Sequence, residues 1–316
     1  FFFKQKTAYE IKECDWSSDV CSSDLGDPGA TLFGGVGLMV TEPKTVIRAS
    51  RVMSPAECPE RLKLVRDRLG GESIRIQREA APPEHAGFGS GTQSALAVAW
   101  AVSKLSGLSE NFNSLMGASG RGRRSGIGCH GFFHGGLLVD DGKSQADTAV
   151  APLVDRVELP GDWRIVVVLP EEPGAWHGRR EVEAFSTLPG RDDLARDLRH
   201  MAAVELLPAA RAGDFDALGP IVHRFNVLAG KAFAPVQGGV FASPGIAAAV
   251  GRARSLGFLG AGQSSWGPAV FALCADEDQA SWLAGQFSES GHHGLWVARP
   301  ANGGATLHEE PLNRWE

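Results

Sequence analysis

The stretch PPEHAGFGSGTQSALAVAWAVSKL, residues 82–105, decides how the rest of the chain is read. It sets Gly87, Gly89 and Gly91, interleaved with Ser90 and Thr92, directly before a long alanine-rich apolar run. Glycine admits left-handed backbone and lets a ligand come close to the main chain. The first amides of a helix have no partner inside it, and they lie at the positive end of its dipole. A glycine-rich turn feeding such a helix is therefore a phosphate-binding junction, and the hydroxyls of Ser90 and Thr92 add donors. A tight strand-to-helix turn with no ligand is the competing reading of the same residues. The loop is not of the Walker A type, which has four residues between its first glycine and Gly-Lys-Ser/Thr. GGLLVDDGKS, residues 135–144, misses that spacing, with five residues between Gly136 and Gly142. No G-x-G-x-x-G follows a strand.

The beginning of the chain has a different texture. FFFKQKTAYEIKECDWSSDVCSSDLG contains the single tyrosine, Tyr9, and three of the eight lysines, but no arginine. From Arg48 onward arginine is preferred to lysine. The string resembles the translation of a sequencing adapter. Residues 1–25 are accordingly expected to be a non-native leader outside the fold, and no apolar core of a signal peptide follows a basic start.

The remaining roughly 290 residues suit one large or two ordinary domains with ample apolar content. Of the formal charge of −6, the leader contributes −2, leaving about −4. A mildly acidic body lacks the basic face of a nucleic-acid binder. Cys58, Cys129 and Cys274 are scattered without a CxxC pair, which indicates neither a disulfide framework nor a zinc site. No apolar run reaches the length of a membrane span. The expectation is a cytoplasmic protein acting on small molecules, with no nucleic-acid or membrane partner and with a homodimer left open.

Residues 33–40 and 44–52 read as two short strands, and 54–69 as a helix capped by Ser54 with Pro55 at its first position. Residues 73–80 read as a strand, 92–107 as a helix, 137–141 as a strand and 163–170 as a central strand. After a linker come helices over 192–213 and 214–233, then a helix–strand–helix–strand block. The domain boundary is expected near residue 185.

Three glycine motifs in order carry a family resemblance. Pro83 through Gln93 resembles the phosphate loop of the GHMP kinase superfamily, RSGIGCHGFFHGG (124–136) its second glycine segment, and GAGQSSWGPAVFAL (260–273) its third. GFGSGTQSALAVA, GRGRRSGIGCHGFFHGGLLVDDG and GQSSWGP further resemble the β-ribofuranosylaminobenzene 5′-phosphate synthases of methanopterin biosynthesis. The resemblance implies an α+β, GHMP-kinase-like two-domain fold: a leader over 1–25, an N-terminal domain of the ribosomal-protein-S5 type over 26–185, and a ferredoxin-like α/β sandwich over 186–316. It also implies a transferase that joins phosphoribosyl diphosphate to 4-aminobenzoate or 4-hydroxybenzoate with loss of CO2 and diphosphate, Mg2+ accompanying the diphosphate. A GHMP small-molecule kinase and a non-catalytic binding protein on the same fold are the alternatives.

Departures from the pattern matter as much. Kinases of the mevalonate type carry Ser-Gly-x-Asp in the middle segment, and Gly128 stands at the aspartate's position. Glycine cannot orient or deprotonate a hydroxyl. The first strand of these synthases bears a Pro-x-Arg-Leu-His-Phe-like motif that is absent here, so part of the sheet and of the site is expected to be missing.

The site expected from the resemblance has three walls. Gly87, Gly89, Ser90, Gly91, Thr92 and Gln93 form the phosphate cradle. Arg121, Arg123 and Arg124, beside Ser125, suit forked clamping of phosphate or carboxylate. Gln263, Ser264, Ser265 and Trp266 close the opposite side, with Trp266 either a stacking surface or a buried structural residue. His130 is the candidate acid, although His130 and His134, four apart, also read as hydrogen-bonded structural residues. Asp140 and Asp141 are candidate Mg2+ ligands, and Asp141 a candidate catalytic group, against the reading of a turn-forming Asp-Asp-Gly.

Overall fold

The computed structural model describes residues 7–18, 35–52, 56–122, 125–143, 149–171, 192–265, 267–288 and 291–311. Two antiparallel sheets carry the chain. The first is six-stranded, in the order β10 (Thr306–Pro311), β1 (Thr7–Ser18), β2 (Val36–Arg51), β4 (Leu137–Asp140) and β5 (Leu153–Val157), with β3 (Ile74–Ala80) also paired to β2. The second is four-stranded, in the order β7 (Ala261–Gln263), β8 (Val270–Cys274), β6 (Arg164–Pro170) and β9 (His292–Ala298).

The leader does not stand outside the fold as expected: Thr7–Ser18 is a strand, paired on one side with β10 and on the other with β2. Strand pairing uses main-chain N–H and C=O groups that every residue but proline has, so an unrelated sequence can occupy the position. The first sheet therefore does not lack its strand. The two short strands expected over 33–52 are one strand, β2. Glu13 and Cys14 of β1 are consecutive, yet they face Thr45 and Val40, so Thr41–Lys44 bulge out of the ladder. Pro43 lies in that bulge, where its missing N–H costs no ladder bond.

Helix α2 (Ser90–Ser106) lies on this sheet and is enclosed by α1 (Glu60–Arg68), α3 (Phe112–Ser119) and α4 (Ile127–His134). Neighbours on several sides explain its alanine-rich run. Ala95, Leu96, Val98, Ala99 and Val102 are all buried, against Ile47, Ile74 and Ile76, and small side chains allow close approach all round. Helix α1 starts at Glu60 with Pro59 at its N-cap, later than expected; Ser54 and Pro55 lie outside the described residues. Helix α3 was not foreseen, although Asn111 caps it by accepting from the Ser114 amide at 2.9 Å.

In the second sheet, β6 is central, flanked by β8 and β9. Its run Ile165–Leu169 is buried, as an apolar central strand requires. One face packs on α8 (Pro244–Ser255) and α9 (Glu277–Ser288). The other meets α5 (Asp192–Met201), α6 (Leu207–Ala212) and α7 (Phe215–Gln237). A π-helical turn, Ala202–Leu206, joins α5 to α6, just before Pro208, which has no N–H for the regular bond four residues back.

A boundary near 185 does not divide the sheets. Strand β6 precedes it yet belongs to the second sheet, while β10, at the far end of the chain, returns to the first. Residue 185 itself lies outside the described residues. One apolar core runs across both sheets, joining Val36 and Leu38 to Val167 and Phe271.

Candidate phosphate-binding site

The glycine loop before α2 is anchored at both ends. Phe88 is 1% exposed and meets the Trp296 ring edge-on, centroids 5.7 Å apart. Gly87 has φ +89°, and a Cβ there would lie 2.3 Å from the Ser264 carbonyl oxygen. The Ser264 hydroxyl, fully buried, donates to the Gly87 carbonyl at 2.6 Å across 177 residues of sequence. Ala269 N–H donates to Ala86 O at 3.3 Å, and a Cβ on Gly267 would fall 2.1 Å from the Ala86 carbonyl carbon. The third glycine motif is thus pressed against the first, main chain on main chain.

The same contacts revise its expected role. Gln263 exchanges hydrogen bonds with Asn226, its amide N–H to Asn226 Oδ1 and its carbonyl from Asn226 Nδ2. Its side chain spans Ala242 N–H and Ser265 O. Gln263 and Ser264 therefore shape the wall from behind. Ser265 is half-buried at the turn, with φ +50°. Trp266, Arg123 and Arg124 lie outside the described residues.

At the start of α2, Gly89 takes the N-cap in left-handed conformation (φ +61°) and gives no side-chain cap. The Thr92 and Gln93 amides turn back to Gly89 O at 2.8 and 3.2 Å, leaving those of Ser90 and Gly91 at the open end of the helix. The Arg121 guanidinium lies over this end, 3.4 Å (Nη1) and 3.5 Å (Nη2) from where a Gly91 Cβ would be. Loop amides, helix dipole and guanidinium converge on one small volume, and all three favour an anion.

Gln93 is not part of that cradle. It is 1% exposed, and its Nε2 donates to Gly128 O at 2.8 Å. The residue at the position of the kinase aspartate is thereby tied to α2 by its carbonyl.

Asp140 is not a metal ligand either. It is 3% exposed, and both carboxylate oxygens are occupied. Oδ1 accepts from Gly35 N (2.7 Å) and Gly142 N (3.0 Å), and Oδ2 from Gly126 N (2.6 Å) and the Ser125 hydroxyl (2.9 Å). The bond to Gly142 closes an Asx turn, which makes Asp-Asp-Gly a turn. Asp141 is exposed and its amide pairs with Pro152 O, so the two carboxylates do not converge. Among the described residues no group of three His, Cys, Asp or Glu could hold a metal ion. Ser125, one residue before the Gly126 N-cap of α4, also accepts from Ile127 N–H at 3.1 Å.

His130 packs away from the loop. Its Nε2 meets Ala151 O at 2.8 Å, which calls for the Nε2–H tautomer, and its ring stacks on Phe112 at 5.3 Å. These contacts make it a satisfied structural histidine. The His134 ring is only partly withdrawn from water, and that partial desolvation, with help from His130 and Arg156, holds its pKa below the ordinary 6.5. Sequence reasoning missed Phe88, Asn226 and Lys143. The first sits inside the glycine motif and was legible there as an apolar anchor; the other two have no local signal.

Comparison with known proteins agrees with this geometry. The GHMP kinases N terminal domain matches residues 59–136, and the GHMP kinases C terminal model matches residues 206–293. Homoserine kinase from Cytophaga hutchinsonii superposes with a TM-score of 0.63 at 15% identity, over 98% of this chain and 100% of that one. Mevalonate pyrophosphate decarboxylase from Streptococcus pyogenes does so with 0.69 at 13% identity, over 95% and 98%. The fold is that of the GHMP kinases. Within that class, the beta-ribofuranosylphenol 5′-phosphate synthase of Methanothermobacter thermautotrophicus is 32% identical over 298 residues, 84% of this chain and 88% of the relative. The synthase of the same name from Archaeoglobus fulgidus is 32% identical over 228 residues, 66% and 72%. The chain belongs to the beta-ribofuranosylphenol 5′-phosphate synthase family.

Proposed function

We propose that this chain is a decarboxylating phosphoribosyl transferase. It joins phosphoribosyl diphosphate to 4-hydroxybenzoate or 4-aminobenzoate, releases CO2 and diphosphate, and serves tetrahydromethanopterin biosynthesis in the cytoplasm. One observation carries the reading. The phosphate junction of the kinase fold is kept, with Arg121 over Gly91, while the kinase carboxylate is replaced by Gly128, whose carbonyl is held by Gln93.

The chemistry suits a site of that kind. The bond from ribose C1 to diphosphate breaks, the ring carbon bearing the carboxylate attacks C1, and the carbon–carboxylate bond gives its electrons back to the ring as CO2 departs. No proton leaves that carbon, so no strong base is required. The protein's part is to hold the departing diphosphate, orient the ring and keep water from the sugar. Gly87, Gly89, Ser90, Gly91, Thr92 and Arg121 supply the anion-holding groups. Asp140 and Asp141 do not fit a magnesium site, and Mg2+ enters the proposal only as the counter-ion that diphosphate brings from solution.

A kinase reading requires a carboxylate at the substrate hydroxyl. Neither Asp140, saturated by four donors, nor exposed Asp141 supplies it. Release of labelled CO2 from carboxyl-labelled 4-hydroxybenzoate, dependent on phosphoribosyl diphosphate, is the expected result. ATP-dependent phosphorylation of a small alcohol by folded protein that releases no CO2 would overturn it.

A further inference from the structure

The turn Asp140–Lys143 plays no part in the chemistry above, yet it carries two buried charges of opposite sign. Lys143 is 8% exposed and lies beneath the segment that begins with Arg121. Its ammonium donates to Gly122 O at 3.0 Å and to Ala149 O at 2.8 Å. Asp140 accepts from the Ser125 hydroxyl at 2.9 Å and the Gly126 amide at 2.6 Å. Burying an ammonium and a carboxylate is costly unless each is well hydrogen-bonded. For Lys143 the compensating bonds run to the Gly122 and Ala149 carbonyls, so its burial cost is recovered in part through the carbonyl next to Arg121.

We infer that Lys143 is a positioning residue that fastens the main chain at Gly122 and so holds the Arg121 guanidinium over the start of α2. Arg121 is the neighbour of Gly122, whose carbonyl Lys143 binds. Fixing the main chain at Gly122 fixes the point from which the exposed Arg121 side chain reaches toward Gly91. The inference rests on the phosphate-binding reading of the α2 junction. It adds that the affinity of the junction for anions is set by a turn that never touches the ligand.

A double-mutant cycle tests it, with inorganic diphosphate as the titrant in calorimetry on the full chain. Lys143→Met removes the ammonium and keeps the stem, and Arg121→Ala removes the guanidinium. Each single change is expected to weaken diphosphate binding about tenfold or more, as loss of one hydrogen bond to a charged group does. The double variant is expected to bind within about twofold of Arg121→Ala alone, because a displaced guanidinium and an absent one are equivalent. A merely structural lysine would give effects that multiply. Should Lys143→Met not fold, Lys143→Gln, which keeps an amide donor, enters the same cycle, and coupling with Arg121→Ala is again the expected result. Multiplying effects, or undiminished binding in the lysine variant, would overturn the inference while leaving the phosphate reading intact. Absence of diphosphate binding by the unmodified chain would instead remove the phosphate reading, and the inference with it.

Discussion

Replacing Gly87 by alanine places a methyl group where the Ser264 carbonyl already stands. The added Cβ would sit 2.3 Å from that oxygen, on a residue with φ +89°. Left-handed backbone costs an alanine about 1–2 kcal/mol, and overpacking against main chain that cannot rotate away adds about 1–3 kcal/mol. The total is about 2–5 kcal/mol. Gly107 provides the control: it also has positive φ (+69°), but nothing lies within 4 Å of its added Cβ, so Gly107→Ala pays for backbone strain alone. Both substitutions reduce unfolded-chain entropy alike, and that effect cancels in the comparison. The remaining difference of about 1–3 kcal/mol corresponds to a melting temperature about 1.5–5 °C lower for Gly87→Ala than for Gly107→Ala. Thermal unfolding of the two variants measures it, and diphosphate affinity should fall in the first variant only. Melting temperatures within about 1 °C of each other would refute the claim that the first and third glycine motifs meet main chain to main chain.

Two further outcomes follow from titratable groups that the fold withdraws from water, His223 partly and Cys274 fully. Burial holds His223 below its ordinary pKa of 6.5, with Arg254 acting in the same direction against the hydrogen bond to Ala261 O. As pH falls through 6.5 the unfolded chain takes up the proton first, so stability is full above that value and declines below it until the folded state also protonates. His223→Gln should flatten that part of a stability–pH curve, and an unchanged slope would contradict the assignment. The Cys274 thiol is pushed up to about 12, chiefly by burial. Alkylation at pH 8 followed by peptide mapping should leave Cys274 unmodified in folded protein and label it after denaturation; rapid native labelling would show that β8 is not buried as described.

Much of the junction was legible in the sequence. A glycine-rich turn before an apolar helix is a local pattern, and local backbone rules are enough to read it: positive φ at Gly87 and Gly89 and an open helix start came out as glycine chemistry implies. RIVVVLP became a central strand, as its unbroken apolar run implies. The side-chain roles were harder to read. Asp140, His130 and Gln93 are residue types common in active sites, and nothing in their neighbours along the chain says whether their polar atoms face a ligand or the protein's own main chain.

By itself the sequence determined the three glycine motifs and the absence of a carboxylate at Gly128, since these depend on residue identity and short-range spacing, and the α+β class followed from the family resemblance those motifs carry. Only the tertiary structure decided that Ser264 grips Gly87, that Gln93 is locked to Gly128 and that Asp140 is saturated. Each of those outcomes is a hydrogen bond across 35 to 177 residues of sequence, or a set containing one. Such a partner is fixed by how the elements pack, because a buried polar group must find a partner wherever the fold places one. The strand position of Thr7–Ser18 was decided in the same way: backbone pairing asks for an open sheet position and places little demand on the sequence that fills it.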